Sequence, residues 1–184
     1  MDIDQLITTP LSPEQIRGLW ISNPLTKSKS VPPVVMYDTI IRAKSLSSIF
    51  GGHDSIILFY PNAQIGADLM GHYVAIVKHP QGVQFYDPYG YKPDSKQKHT
   101  PQRDSLYAEE QNSLIKHFLS HGEPVDYSHH KHQSVKEGVA TCGRHSMMRC
   151  LYEDLTNDEY NRTIRGLCKA LGINPDMLVA LIFS

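Results

Sequence analysis

Four side chains carry the chemistry legible in this sequence: the thiol of Cys142, inside GVATCGRH at 138–145, the imidazole of His72, the carboxylate of Asp87 and the amide of Gln133. A thiol becomes a nucleophile on losing its proton, and the free N–H groups and positive dipole end at a helix start favour that loss. Cys142 stands where a helix is expected to begin. A lone cysteine in apolar surroundings is more often an inert packing residue. Covalent catalysis further requires a base, a group that orients the base and donors for an oxyanion.

His72 and Asp87 lie in the apolar runs HYVAIVKHP and GVQFYDPYG, whose HPQG link is short enough for a β-hairpin. With the turn near Pro80 and Gln81, paired positions sum to about 161, placing His72 opposite Tyr89 and Asp87 on the same face, ~7–8 Å away diagonally. Asp87 is then expected to accept the Nδ1 proton of His72 and hold the other ring nitrogen toward the thiol. The plain alternative is a strand-end surface histidine and an aspartate that forms a turn before Pro88. Gln133 precedes the thiol in a loop, and its amide can donate to a developing oxyanion together with the N–H of Cys142. By itself it is an ordinary solvated glutamine. Gly143 is expected to let a substrate backbone approach.

Other candidates have simpler readings. His129, His130 and His132 in SHHKHQ invite a metal, but no carboxylate or cysteine stands nearby at ligand spacing, so a polar loop near the site is expected and no metal or cofactor. His145 can in principle reach the thiol, yet on a helix it points toward the next turn, and His72 is the preferred base. Cys150, Cys168, Met147, Met148 and Leu151 read as core. The KSKS run at 27–30 reads as a solvated loop.

The elements that must position these groups follow from their own signals. Ser12, Pro13 and Gln15 form a capping box for a short helix, and the polar, proline-rich 23–33 is a loop. SIILFYP (55–61), the two runs already quoted and VDYS (125–128) read as strands. The polar stretch 89–105 reads as a long loop and 106–121 as a helix ended by Gly122. A buried helix starts near Cys142. Thr156 with Glu159 caps a helix through Leu171, and Asn174 with Pro175 starts a last one. Mixed segments of this kind predict an α+β fold with a central, mostly antiparallel sheet flanked by helices.

At 184 residues the chain is expected to form one domain, with 1–33 as an N-terminal helix and loop and 34–184 as the core. A net charge of -1 gives no global basic field for nucleic acid or anionic lipid. No stretch has the length of a membrane span, the first residues lack the pattern of a signal peptide, and the three cysteines show no CxxC spacing. Reduced thiols in an intracellular setting are expected.

Taken in order, GHY (71–73), YDPYG (86–90), Gln133 and TCGRH (141–145) resemble the adenain-type cysteine proteases, whose clan also holds the ubiquitin-like-protein-specific proteases. The resemblance covers roughly 56–155. Papain-like enzymes run Cys, His, Asn; here the order is His, Asp, Gln, Cys. Clan members often carry Trp where this chain has Tyr73, and its segment from Gln133 to Cys142 is longer than is common. CGRH and the terminal DMLVALIF are most similar to the maturation proteases of adenoviruses, virophages and large DNA viruses. The resemblance implies an adenain-like fold, with Cys142 as nucleophile, His72 as base and later acid, Asp87 as orienting group and Gln133 as oxyanion donor.

It further implies a monomeric endopeptidase that cleaves a viral capsid or core precursor polypeptide, commonly after glycine, in the host cytoplasm or viral factory and in the virion. An activating peptide or DNA, as the adenovirus enzyme uses, is left open, and the near-neutral charge argues against DNA. Two alternatives stand beside this one: a protease that removes ubiquitin-like modifiers, and a non-enzymatic binding protein that keeps the fold.

Overall fold

The computed structural model describes residues 2–65, 68–93 and 113–184. Among the described residues, five strands form one sheet in the order β1 (Val34–Met36), β2 (Ser55–Ile65), β3 (Asp68–His79), β4 (Gly82–Tyr86) and β5 (Val125–Tyr127). The central pairings β2–β3 and β3–β4 are antiparallel and the two short edge strands pair in parallel, so the fold is α+β around a mixed sheet. The hairpin register is the expected one, with Ala75 opposite Tyr86 and His79 opposite Gly82. A bulge between Pro61 and Ala63 interrupts the longer β2–β3 ladder.

Strand side chains alternate between faces, and both faces are buried, which explains why the strands read as continuous apolar runs. Ile57, Phe59, Tyr73, Ala75 and Tyr86 point into one core. Helices α2 (Pro13–Ser22), α6 (Cys142–Leu151), α7 (Asn157–Leu171) and α8 (Pro175–Ile182) close it, with Trp20, Met147, Tyr160 and Val179 among their contributions. Ile56, Leu58, Val74, Ile76 and Phe85 face a second core under α3 (Tyr37–Ile41), α4 (Leu46–Phe50) and α5 (Ser113–Ser120). A further short helix, α1 (Ile3–Thr8), lies at the N-terminus.

The capping boxes at Ser12 and Thr156 and the Asn174 cap form as their sequences dictate. Cys150, Met147 and Met148 are fully buried, and Cys168 packs against the same core. Lys29 of the KSKS run is not simply solvated: it pairs with Glu153 at 3.0 Å and Asp154 at 3.3 Å. Most of the loop at 89–105 and the first part of the helix expected over 106–121 lie outside the described residues. Among the described residues no helix is long and apolar enough to cross a membrane.

Candidate active site

The β3–β4 ladder ends at Ala75 and Tyr86, so β3 runs on toward His72 without a β4 partner, and Cys142 at the start of α6 comes close to His72 and Tyr73 there. Gly71, inside β3 opposite Pro61, permits the close approach of β2 beside His72: a Cβ there would lie 2.3 Å from the Tyr60 carbonyl oxygen and 2.4 Å from the Phe59 ring. Beyond the ladder the chain turns at once, with Gly90 N–H donating to the Asp87 carbonyl and Tyr89 N–H to Asp87 Oδ1 at 2.8 Å each. This turn aims the Asp87 carboxylate back at β3. His72 Nε2 and Asp87 Oδ1 are 3.0 Å apart, both residues buried.

The ring orientation corrects the expectation from sequence. Nε2, not Nδ1, faces Asp87. The aspartate comes from a turn past the end of the ladder and meets the far side of the ring, which leaves Nδ1 for the thiol. The Cys142 thiol lies beside His72 and the backbone N–H groups of Tyr73 and Gly143, each of which favours its ionised form. Burial alone would raise the thiol's pKa, but the imidazolium and these two N–H groups outweigh it and hold the pKa below the ordinary cysteine value. Burial likewise works to lower the His72 pKa, and the Asp87 and Cys142 charges overcome it, pushing it up to about 10. Both shifts act in the same sense, favouring the thiolate and imidazolium over the neutral pair.

The structure brings Gln133 to the same place from the far side. Pro88, in the Asp87 turn, accepts at its carbonyl from the backbone N–H groups of His132 and Gln133 at 2.9 and 3.0 Å. Gln133 Nε2 donates to Tyr89 Oη at 3.0 Å and more distantly to the Val139 carbonyl, while its buried Oε1 has no partner among the described residues. Both amide hydrogens are thus committed inside the protein. Turning the amide over would let Oε1 accept the Tyr89 hydroxyl proton, would give up the longer contact to the Val139 carbonyl and would free both N–H groups.

One other expectation changes. Gly143 is buried under Ile16 and Tyr73, and a Cβ would lie 3.2 Å from Ile16 Cδ1, so its small size serves the packing of α2 rather than a substrate's approach. His145 does not face the thiol; its Nε2 lies 3.1 Å from Asp176 Oδ1. In the histidine cluster, His132 lies between Tyr86 Oη at 3.0 Å and Asn161 Oδ1 at 3.1 Å, and burial with the nearby His145 lowers its pKa to about 4. His130 pairs with Asp158, and the rings of His129 and His130 are 4.4 Å apart. Among the described residues no three His, Cys, Asp or Glu side chains gather to hold a metal.

Two neighbours of the site have roles that the sequence reading does not give them. Tyr89 stacks on His72 with ring centroids 5.0 Å apart, and its hydroxyl takes the Gln133 amide. The hairpin count places it opposite His72, but its link to Gln133 joins residues 44 positions apart and leaves no local signal. Leu11 lies on the N-terminal segment, whose backbone is tied to the site by Tyr73 Oη donating to the Leu11 carbonyl at 3.0 Å and Ala140 N–H to the Ile7 carbonyl at 2.8 Å. A cleft of about 560 Å³ opens at Cys142, walled by Leu11, Met36, Phe59, Met70 and Tyr73, with Glu14 at its rim.

No family model matches the chain. Uncharacterized protein V9 of Sputnik virophage is 23% identical over 154 residues, spanning 81% of this chain and 84% of that protein. Among solved structures, the C-terminal Ulp1 protease domain in complex with Smt3, the yeast orthologue of SUMO, aligns with 99% of this chain and 80% of that chain at 14% identity and a TM-score of 0.34. The chain thus has a distant relative in a virophage and a loose structural likeness to a protease domain.

Proposed function

We propose that this chain is a cysteine endopeptidase. The observation that carries the reading is the convergence of Cys142, at the start of α6, on a His72 ring whose opposite nitrogen is held by Asp87. The thiolate attacks a peptide carbonyl carbon, forming a C–S bond and a tetrahedral oxyanion. The Cys142 N–H belongs to the first turn of α6 and has no acceptor within its helix, so it is one donor to that oxygen. The Gln133 amide, once turned, is the second. The imidazolium gives its Nδ1 proton to the departing amine as the C–N bond breaks and a thioester remains. Water then attacks the thioester, His72 takes its proton, and the acid product leaves the restored thiolate.

Asp87 holds the imidazole in orientation and stabilises its charge without taking the proton. Residues 1–184 act as one unit in this reading, because 1–33 supplies a wall of the cleft that the remainder lacks. The substrate is a capsid or core precursor cut beside glycine in the course of virion maturation; the motif resemblance and the virophage relative support it. Coexpression with the capsid precursors of the virus that carries this gene, followed by mass spectrometry of new termini, tests it. Termini beside glycine are expected with the wild-type chain and none with Cys142→Ala. Equal processing by the variant removes the nucleophile, and cutting of modifier conjugates in place of precursor turns the assignment to deconjugation.

A further inference from the structure

Asp176 lies in the first turn of α8, where an acidic residue is ordinarily explained by the helix dipole and nothing more. Here its carboxylate is buried and turned inward, and it collects three donors from two segments, the loop after Gln133 and the start of α6. Oδ2 accepts from Ser134 N–H at 3.0 Å. Oδ1 accepts from the Thr141 hydroxyl and faces His145 Nε2 at 3.1 Å. Ser134 follows Gln133, Thr141 precedes Cys142, and His145 stands on α6 one turn beyond the thiol.

The Gln133 loop is consequently held between two acceptors, the Pro88 carbonyl at one end and the Asp176 carboxylate at the other. The start of α6 is held by that same carboxylate. The thiolate itself is served by other groups, His72 and the N–H groups of Tyr73 and Gly143, none of which touches Asp176. We propose, on the basis of the protease reading, that Asp176 is a positioning residue that fixes the separation between the Gln133 amide and the Cys142 N–H, and so shapes the oxyanion site while leaving thiol activation alone.

Asparagine is the discriminating replacement. It has the same shape but one oxygen for three donors, and its NH₂ confronts N–H or O–H groups that need an acceptor. Two probes separate the roles. Iodoacetamide reports the thiolate, since it transfers a carbamoylmethyl group to sulfur with loss of iodide and develops no oxyanion. A peptide aldehyde ending in glycinal reports the oxyanion site: sulfur adds to the aldehyde carbon, and the carbonyl electron pair moves to the oxygen held by the two donors.

In the full-length protein, Asp176→Asn is expected to weaken aldehyde binding about tenfold or more while alkylation at Cys142, read by mass spectrometry, stays within about twofold. Thr141→Val removes a single link and is expected to weaken the aldehyde roughly threefold with alkylation unchanged, so the idea stays testable if the first variant folds poorly. Loss of both readouts together in Thr141→Val, or no change in either variant, overturns the positioning role and leaves the protease reading standing. A wild-type protein that binds the aldehyde no better than Cys142→Ala overturns the protease reading and this inference with it.

Discussion

The proton shared between Cys142 and His72 is set by opposed influences of known sign, and the net result governs how the site responds to pH. Burial favours the neutral thiol and the neutral imidazole; the mutual attraction of the two charges, the Asp87 carboxylate and two backbone N–H groups favour the ion pair and prevail. A depressed thiol pKa means that thiolate is present above it, so iodoacetamide alkylation is expected to persist to lower pH than for an ordinary cysteine and to fall as pH drops through the depressed value. A raised imidazole pKa means that the leaving group's proton donor persists until about pH 10. Peptide turnover is expected to decline above that value while alkylation does not. Coincident alkaline limbs for the two assays would show that His72 is not the acid. Asp87→Asn removes the main charge supporting the imidazolium, and alkylation at pH 6 is expected to fall by on the order of tenfold or more. The residue types and their approximate meeting were legible in the sequence because thiol, imidazole and carboxylate stand in motifs with few other uses. The choice of ring nitrogen was not, since it depends on the Asp87 turn leaving the plane of the ladder. Asp176 was hidden because it meets the loop after Gln133 and the start of α6 only once α8 has packed.

At the scale of elements, what was legible is what is encoded locally. The HPQG turn fixed the β3–β4 register, and the capping boxes at Ser12 and Thr156 fixed two helix starts, because each depends on residues only a few positions apart. The helices α1, α3 and α4 span too few turns to leave a periodic signal. The parallel edge pairings join segments distant in sequence, which no local pattern announces. Gly71 illustrates the difference: it reads as an unremarked glycine in GHY, yet β3 approaches Tyr60 and Phe59 so closely that a methyl group has no room. Gly71→Ala is expected to destabilise the protein by about 1–3 kcal/mol in urea unfolding through overpacking, and to displace His72 with it. A variant as stable and as readily alkylated as wild type would show that the hairpin yields freely at this point. Thr156→Ala, which removes the cap of α7 far from the thiol, serves as the control; it is expected to cost about 1 kcal/mol without altering alkylation.

At the scale of the whole molecule, the site is assembled from both ends of the chain. Arg144, buried two residues after Cys142, donates from Nε to the Phe183 carbonyl and from one terminal nitrogen to the Thr9 carbonyl, both at 3.2 Å. The helix that carries the thiol is thereby tied to the segment after α8 and to the strand-like link between α1 and α2. Trp20 stacks on Phe183 with ring centroids 6.5 Å apart and closes the same loop of contacts through the core. The N-terminal segment, which by sequence is only a helix and a loop, is in this arrangement a wall of the cleft at Cys142. Arg144→Met keeps the aliphatic stem and much of the packing but removes both charge-assisted bonds, at an expected cost of about 1–3 kcal/mol each at most. Its kinetic signature follows from which surface is released. With the wall at Leu11 loosened, the KM of a peptide substrate is expected to rise several-fold, and kcat less, because the donors nearest the sulfur remain. A fall in kcat at unchanged KM would assign Arg144 to the chemistry at the thiol and would leave the cleft wall standing without it.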